Sequence, residues 1–155
     1  MDGHNFEKLK QHILSLSESN YFETARTEWN LHSIEVSEEF DSCPCGQPIK
    51  EHCYIENREN GKKTYVGNVC INRFMNIDTG TLFDGLKRIK SNRKANANKA
   101  LIDYANGKGY LYDNEYGFLI STMNKRKLTD KQIAWKERIN ERILNEIVVK
   151  RRTVR

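Results

Sequence analysis

The stretch Cys43–Phe74, CPCGQPIKEHCYIENRENGKKTYVGNVCINRF, contains all four cysteines of the 155-residue chain. They are Cys43, Cys45, Cys53 and Cys70, and they follow the spacing C-x-C-x7-C-x16-C. Four thiolates suit a tetrahedral zinc ion, because structural zinc sites are closed by four cysteine or histidine ligands. We therefore predict that these four cysteines hold one structural Zn²⁺ ion.

Two other interpretations of the cysteines stay open, namely a pair of disulfides and buried thiols without a ligand. The first residues, MDGHNFEKLK, lack the basic-then-apolar pattern of a secretory signal, and disulfides are rare in reducing compartments. Inert thiols would not explain why all four cysteines lie within 28 positions of a turn-rich segment. His52 could replace one thiol, but it points to the opposite face of a strand if Cys53 faces the metal.

Local signals around the cysteines predict a turn, a β-hairpin and a short helix. Gly46 directly follows the second cysteine, where a tight turn can aim backbone amides at sulfur. The dipeptide Asn60-Gly61 is typical of a two-residue hairpin turn. A helix over Val69–Asn76 would place Cys70 in its first turn, where the helix dipole favours a thiolate. The expected strands are Ile49–Asn57 and Lys62–Val66.

One set of residues in and before this stretch has a familiar arrangement. In the stretch the set comprises Cys43, Cys45, Gly46, Ile49, Cys53, Ile55, Asn57, Gly61, Val66-Gly67-Asn68, Cys70 and Phe74, and upstream it includes Ala25, Glu28-Trp29 and Leu31. The set resembles the core of small treble-clef-like four-cysteine zinc proteins of phages and large DNA viruses, although C-x-C departs from the ordinary treble-clef knuckle. The resemblance implies a zinc module in an intracellular, virus- or phage-borne protein, and no catalytic residues.

The charge of the chain is distributed unevenly. Residues 1–60 hold 5 basic and 12 acidic side chains, whereas residues 61–155 hold 21 basic and 9 acidic ones. A strongly basic half is typical of proteins with an anionic partner, of which nucleic acid is the commonest. Two plainer explanations remain, since the acidic part can neutralise the basic one and lysine-rich helices often form only a solvated face.

The densest basic segment is Lys87–Lys99, which contains six Lys or Arg and no acidic residue. A helix C-terminus favours two or three such charges, and six exceed that need. We predict phosphate contacts from this segment and from a basic turn further along the chain. The predicted contact residues are Lys87, Arg88, Lys90, Arg93, Lys94, Lys125, Arg126 and Lys127. The basic tail Lys150–Arg155 would extend the same track.

The whole pattern predicts an α+β protein that is mostly helical. We expect a helical lead-in over residues 1–40, a zinc-stapled β-hairpin/helix module over 41–77 and basic helices over 78–155, together forming one compact domain. In the lead-in, Leu31–Val36 is the expected strand and Ser37–Ser42 an acidic linker with Phe40 under the cysteine turn. Other expected helices are His4–Leu16, Tyr21–Trp29, a helix with Thr81 as N-cap, Ala95–Asn106 and Asp130–Lys150.

The predicted helix Asp130–Lys150 has the clearest N-terminal signal and the clearest apolar stripe. Thr129 and Gln132 form a capping box, and Ile139, Ile143 and Ile147 recur every four residues. The opposite, solvated face is expected to carry Lys131, Lys136, Arg138 and Arg142.

Tests for known enzyme chemistry give no catalytic residues. The zinc-deaminase pattern fails because Pro44-Cys45-Gly46 lacks the second cysteine at the required interval. An HNH-type nuclease is disfavoured because no histidine follows His52 to complete a base and metal pair. No run of eighteen apolar residues exists, so no membrane partner is expected, and we expect a cytoplasmic or, in a eukaryotic host, nuclear location.

We therefore predict a zinc-stabilised, non-enzymatic nucleic-acid-binding protein. The alternative is an adaptor or inhibitor that docks on a host or replication protein. Its anchors would be aromatic residues such as Tyr110, Tyr112 and Tyr116, with the acidic segment Ser37–Ser42 facing a basic partner. Core packing is the commoner role for such aromatics.

Overall fold

A computed structural model describes residues 3–150, apart from the side chain of His4. Within these residues the chain is α+β and about half helical, with seven α-helices and a three-stranded antiparallel sheet in the order β1-β2-β3. The predicted fold class is confirmed at this level. The chain divides into two compact units, of which the first ends at Thr79 and the second begins at Gly80.

All the described strands belong to the first unit. Its elements are α1 (Gly3–Leu16), α2 (Phe22–Ala25), a 3-10 turn (Arg26–Glu28), β1 (Trp29–Ser42), β2 (Pro48–Asn57), β3 (Lys63–Gly67) and α3 (Asn68–Met75). The second unit is helical, with α4 (Gly80–Ser91), α5 (Lys99–Lys108), α6 (Asp113–Thr122) and α7 (Asp130–Leu144). None of the helices in residues 3–150 is long and apolar enough to span a membrane.

The strand register separates a buried face of the sheet from an outer one. Ile34, Cys53 and Val66 are paired across the three strands and are almost fully buried. The buried face continues into the helices, because α3 contacts β2 and β3 and the His12 ring of α1 lies 2.7 Å from Thr64 Oγ1. The core side chains that the two helices contribute are Leu9, Ile13, Ile71 and Phe74, each 0% exposed.

Strand β1 is longer than expected, and the predicted acidic linker Ser37–Ser42 is its second half. The register of the pairing with β2 shifts between Val36 and Asp41. The acidic residues of this segment therefore lie at an irregularity of the strand, and regular pairing resumes at Asp41. The expectation that Phe40 lies under the cysteine turn is wrong. Phe40 is 69% exposed, and the Lys50 ammonium lies 4.6 Å from its ring centroid.

The hairpin between β2 and β3 has a longer loop than the two-residue turn predicted at Asn60-Gly61. Asn57 begins the loop, and its side-chain oxygen accepts the amides of Glu59 at 2.8 Å and Asn60 at 3.2 Å. Gly61 closes the loop with a φ of 74°, a conformation that favours glycine, and its amide donates to the Asn57 carbonyl. The asparagine side chain therefore organises the turn.

The N-terminal helices agree in part with expectation. The prediction of the first helix is confirmed to within one residue, since α1 covers Gly3–Leu16. The predicted helix Tyr21–Trp29 is shorter, because α2 ends at Ala25 and Trp29 already begins β1.

The bounds of α4 and α5 differ from those predicted. Helix α4 begins at Gly80, so Thr81 lies inside the helix rather than at its N-cap. Helix α5 begins later than expected because Asn98 is its N-cap and accepts the Leu101 amide at 3.0 Å. It continues through Gly107 and ends where Gly109 adopts a φ of 81°.

The predicted capping box of α7 is confirmed, with Thr129 and Gln132 bonded reciprocally. The helix ends at Leu144 rather than Lys150, because Glu146 adopts a φ of 53° and the Ile147 amide turns back to the Arg142 carbonyl. Ile147 is therefore half exposed and does not continue the apolar stripe.

The expected solvated face of α7 is only partly solvated. Lys136 is 1% exposed, and Arg142 is half-buried in an ion pair with the buried carboxylate of Glu115. Lys131 and Arg138 are exposed as expected. The predicted basic tail from residue 151 onward lies outside the described residues.

Candidate metal centre and basic surface

The thiols of Cys43, Cys45 and Cys70 form a buried group, here called the three-thiol group, whose ligand atoms all lie within 4.8 Å of one another. Cys43 Sγ and Cys70 Sγ are 3.6 Å apart. Two sulfurs on a tetrahedral zinc ion with Zn–S bonds of about 2.3 Å lie about 3.8 Å apart. The three-thiol group therefore fits a single metal ion. All four cysteines are free thiols, so the alternative interpretation as two disulfides is not supported.

A tight turn and a helix start bring these thiols together. The Cys43 amide donates to the Gln47 carbonyl at 2.9 Å, and the Gly46 amide donates to the Cys43 carbonyl at 2.7 Å. Gly46 has a φ of 98°, which explains why glycine follows the second cysteine. Cys70 lies in the first turn of α3, as predicted. The Gly67 amide, which lies outside this turn, donates to the Cys43 sulfur at 3.4 Å.

Hydrogen bonds favour a thiolate at Cys43. The hydrogen bond that it shares with Cys70 is the largest influence, and together with the Cys45 and Gly67 amides it lowers the pKa of Cys43 to about 6, against the opposing effect of burial. The same hydrogen bond, with burial, raises the pKa of Cys70. These hydrogen bonds thus favour the thiolate form of Cys43, and metal binding would release protons from the thiols of the group.

The fourth predicted ligand, Cys53, does not belong to the three-thiol group. Its thiol is fully buried and lies 3.9 Å from the Thr79 hydroxyl, and burial raises its pKa to about 12. His52 faces the other side of the strand, where its ring stacks with Tyr54 and its Nε2 lies 3.3 Å from an Asp41 carboxylate oxygen. The structure thus places three cysteines at the site and His52 away from it.

The predicted nucleic-acid contacts all lie in the second unit. The exposed members are Lys87, Arg88, Lys94, Lys125, Arg126 and Lys127, and the half-buried ones are Lys90 and Arg93. We call these eight residues the basic surface. Arg93 also has a structural role, because its guanidinium donates to the carbonyls of Ile89 and Lys90 near the end of α4.

Asparagine side chains connect the two segments of the basic surface. The Asn96 amide donates to the Lys125 carbonyl at 3.0 Å, across 29 positions of sequence. The Asn140 amide of α7 donates to the carbonyls of Arg93 at 2.7 Å and Ala95 at 2.9 Å. The loop after α4 is therefore held against both the basic turn and α7, and the two basic segments adjoin.

Helix α7 carries a buried polar pair that was not predicted from the sequence. Lys136 Nζ and Asn140 Oδ1 are buried, and neither has a hydrogen-bond partner in the described part of the chain. The Lys136 ammonium lies 5.3 Å from the Phe118 ring centroid, and burial lowers the pKa of Lys136 to about 8. Helical spacing was the available signal, since residues 136 and 140 lie on the same side of the helix as Ile143.

A second missed feature is the buried carboxylate of Glu28 in the first unit. It accepts the amides of Glu18 at 2.8 Å and Ser19 at 2.9 Å and the side-chain amide of Asn57 at 2.9 Å. Burial alone would raise the pKa of Glu28, but these hydrogen bonds and the charge of Arg58 hold it below its usual value. Glu28 therefore joins the segment after α1 to the hairpin.

The tyrosines proposed as anchors of an adaptor differ in their exposure. Tyr110 is 3% exposed, and the Tyr116 hydroxyl donates to Asp103 at 2.9 Å. Tyr112 is the most exposed of the three, at 49%. Burial therefore removes Tyr110 from the proposed anchors, whereas Tyr112 and Tyr116 keep some exposed surface.

Comparisons of the chain with models of protein families, with curated proteins and with solved structures found no match. The resemblance to treble-clef-like zinc proteins of phages and large DNA viruses therefore stays a prediction.

Proposed function

We propose that this chain is a zinc-stabilised, non-enzymatic nucleic-acid-binding protein. In this proposal the first unit holds one structural Zn²⁺ ion and the basic surface of the second unit contacts phosphates. The observation that carries the proposal is the Asn96–Lys125 hydrogen bond, which joins two basic segments that are separate in sequence. Adjoining exposed Lys and Arg side chains create the positive field that a phosphate backbone needs.

Zinc is the metal that the ligand types favour. Thiolates are soft ligands that select zinc over the hard cations magnesium and calcium, and cysteine-only sites are typical of structural zinc. Cys43, Cys45 and Cys70 would hold the ion, and Cys53 is our candidate for the fourth ligand. A closed site of this kind contributes folding energy and leaves no coordination position for catalysis.

The proposal is tested by fluorescence-anisotropy titration of the zinc-loaded chain with single-stranded DNA, duplex DNA and RNA over a salt series. If phosphates are contacted, the affinity will fall linearly with the logarithm of salt concentration, and the slope will count the contacts. The tightest of the three ligands would identify the substrate class. Failure of all three to bind at low salt would contradict the proposal.

The contact surface is tested by charge reversal. The variant Lys87→Glu/Lys94→Glu/Lys125→Glu/Arg126→Glu alters exposed residues and keeps Arg93, whose guanidinium bonds the end of α4. Each lost phosphate contact should reduce the salt slope by about 1. The control is Lys62→Glu/Lys63→Glu, two exposed lysines of the first unit, and it is compared with the two-site test variant Lys87→Glu/Lys94→Glu. If the control weakens binding as much as the test variant, the assigned surface is wrong.

A further inference from the structure

Three aromatic rings form a cluster on the outer face of the sheet. His52 and Tyr54 alternate with the buried Cys53 along β2, and Tyr65 is paired with Tyr54 across β3. The ring centroids lie 6.0 Å apart for His52 and Tyr54, 5.0 Å for His52 and Tyr65, and 6.1 Å for the two tyrosines. His52 is buried, and its ring lies nearer to that of Tyr65 than to that of Tyr54. Both tyrosines are partly exposed.

Two exposed carboxylates flank this cluster. Glu35 is paired with His52 on β1, and one of its carboxylate oxygens accepts the Tyr54 hydroxyl at 3.3 Å. Asp41 Oδ2 lies 3.3 Å from His52 Nε2, and its other oxygen accepts the Ser42 amide. The aromatic rings are therefore held by groups that also give the face a negative charge. We call His52, Tyr54, Tyr65, Glu35 and Asp41 the sheet face.

The surrounding strands are acidic as well. Residues 29–67 contain Glu35, Glu38, Glu39, Asp41, Glu51, Glu56 and Glu59 against Lys50, Arg58, Lys62 and Lys63. Beside the rings lies a surface depression of about 390 Å³, whose lining includes Tyr54 and Tyr65 together with Lys63 and His32 and no acidic residue. The carboxylates of Glu35 and Asp41 would repel a polyanion, whereas a cation would be attracted by these carboxylates and by the aromatic π-faces.

We propose that the sheet face binds an arginine side chain presented by a basic segment of a partner protein. The charge of the face is complementary to such a segment, and this is the argument for the occupant. A guanidinium is planar, stacks on tyrosine rings and donates to carboxylates in a fork, so it uses both the rings and the acids. A lysine ammonium is more strongly hydrated and cannot stack, so it fits the same groups less well. This inference does not depend on nucleic-acid binding by the second unit.

The test is an anisotropy titration of the full zinc-loaded chain with three fluorescent peptides of one length, containing glycine and serine with arginine, lysine or glutamine. Arginine peptide should bind tightest, lysine peptide more weakly and glutamine peptide not measurably. The variants Glu35→Gln and Tyr54→Leu should each weaken arginine-peptide binding about three- to tenfold, the range expected of a partly exposed cation contact. The control is Glu23→Gln, whose exposed side chain lies away from the sheet face.

Lys63 is an exposed lysine that also lines the depression, so its positive charge should oppose the binding of a cationic peptide. The variant Lys63→Gln should strengthen arginine-peptide binding about twofold or more, whereas a nucleic-acid site would be weakened by the same change. Thermal melts and metal content of each variant separate binding effects from folding effects.

Three results would overturn the proposal. They are the absence of arginine-peptide binding at low salt, equal binding of the glutamine peptide, and sheet-face variants that alter oligonucleotide binding but not peptide binding. The last result would assign the face to nucleic acid. Loss of oligonucleotide binding in the basic-surface variant, with peptide binding intact, would leave this inference standing on its own.

Discussion

Lys136 is an ionisable residue that the protein buries at a cost. Its ammonium is 1% exposed and has no hydrogen-bond partner within residues 3–150, and the Phe118 ring compensates its charge only in part. The variant Lys136→Met keeps the chain length of the side chain and removes the charge. We expect it to raise the free energy of unfolding of the second unit by about 2 kcal/mol at pH 7.

The stability gained by Lys136→Met should depend on pH. Burial lowers the pKa of Lys136 from 10.5 to about 8, so the folded state binds fewer protons than the unfolded state between these pH values. The destabilisation is therefore full below pH 8 and disappears as the pH rises toward 10.5. Urea denaturation should show that the free energy of unfolding gained by Lys136→Met is smaller at pH 10 than at pH 7. The control Lys131→Met, at an exposed site of α7, should change the free energy of unfolding little at either pH. A destabilised Lys136→Met would show that the ammonium has a partner.

Cysteine substitutions should distinguish the three-thiol group from Cys53 by their effects on zinc binding. Cys70→Ser removes a member of the three-thiol group and should abolish stoichiometric zinc, measured by native mass spectrometry. If Cys53 supplies the fourth ligand, Cys53→Ser should still bind zinc, but with an affinity at least tenfold lower. Its cobalt-substituted form should then show a smaller thiolate charge-transfer band than the wild type. An unchanged cobalt spectrum in Cys53→Ser would assign the fourth position to another group.

At the scale of elements, Glu28 connects two segments of the first unit that are distant in sequence. Its carboxylate binds the chain after α1 through Glu18 and Ser19 and the hairpin through Asn57. The variant Glu28→Gln brings an NH₂ group against these donors, so we expect a loss of about 1.5–3 kcal/mol at pH 7. Glu23→Gln, at an exposed carboxylate that lies 3.5 Å from the Arg26 guanidinium, should be nearly neutral.

The stability that Glu28 contributes to the wild-type protein should be lost at acid pH. Its pKa is held below the ordinary 4.5, so its contribution is full above pH 4.5 and is lost as the pH falls through the folded-state pKa. Denaturation curves of wild type and Glu28→Gln should therefore converge in acid. Curves that stay parallel at all pH values would assign the loss to packing rather than to charge.

The elements that could be predicted were those with a strong local signal. The capping box Thr129–Gln132 placed the start of α7 correctly because both partners lie within one turn. The second half of β1 could not be predicted, because its acidic residues are held in a strand by pairing with distant β2. The end of α7 was missed for the same reason, since Val149 and Lys150 donate to the Gly109 carbonyl.

At the scale of the whole molecule, the cysteine spacing located the metal site but could not give its full geometry. The separation of Cys53 from the three-thiol group depends on strand register and on contact with Thr79, neither of which is visible in spacing. The basic surface was predicted from charge density alone. The hydrogen bonds of Asn96 and Asn140 that assemble it were missed because asparagine has no distinctive periodicity.

Metal removal should affect the two units differently. All four cysteines lie before Gly80, where the second unit begins, and the second unit has its own buried core, which includes Leu101, Ile102, Ile139 and Ile143. Zinc supplies folding energy only to the unit that binds it, so a strong chelator should unfold the first unit and spare the second. Far-ultraviolet circular dichroism should then retain helical signal, and limited proteolysis should leave a fragment that begins near Gly80. Chelation of the Cys70→Ser variant is the control, and it should cause no further change. Complete loss of helical signal in a single transition would show instead that both units depend on the metal.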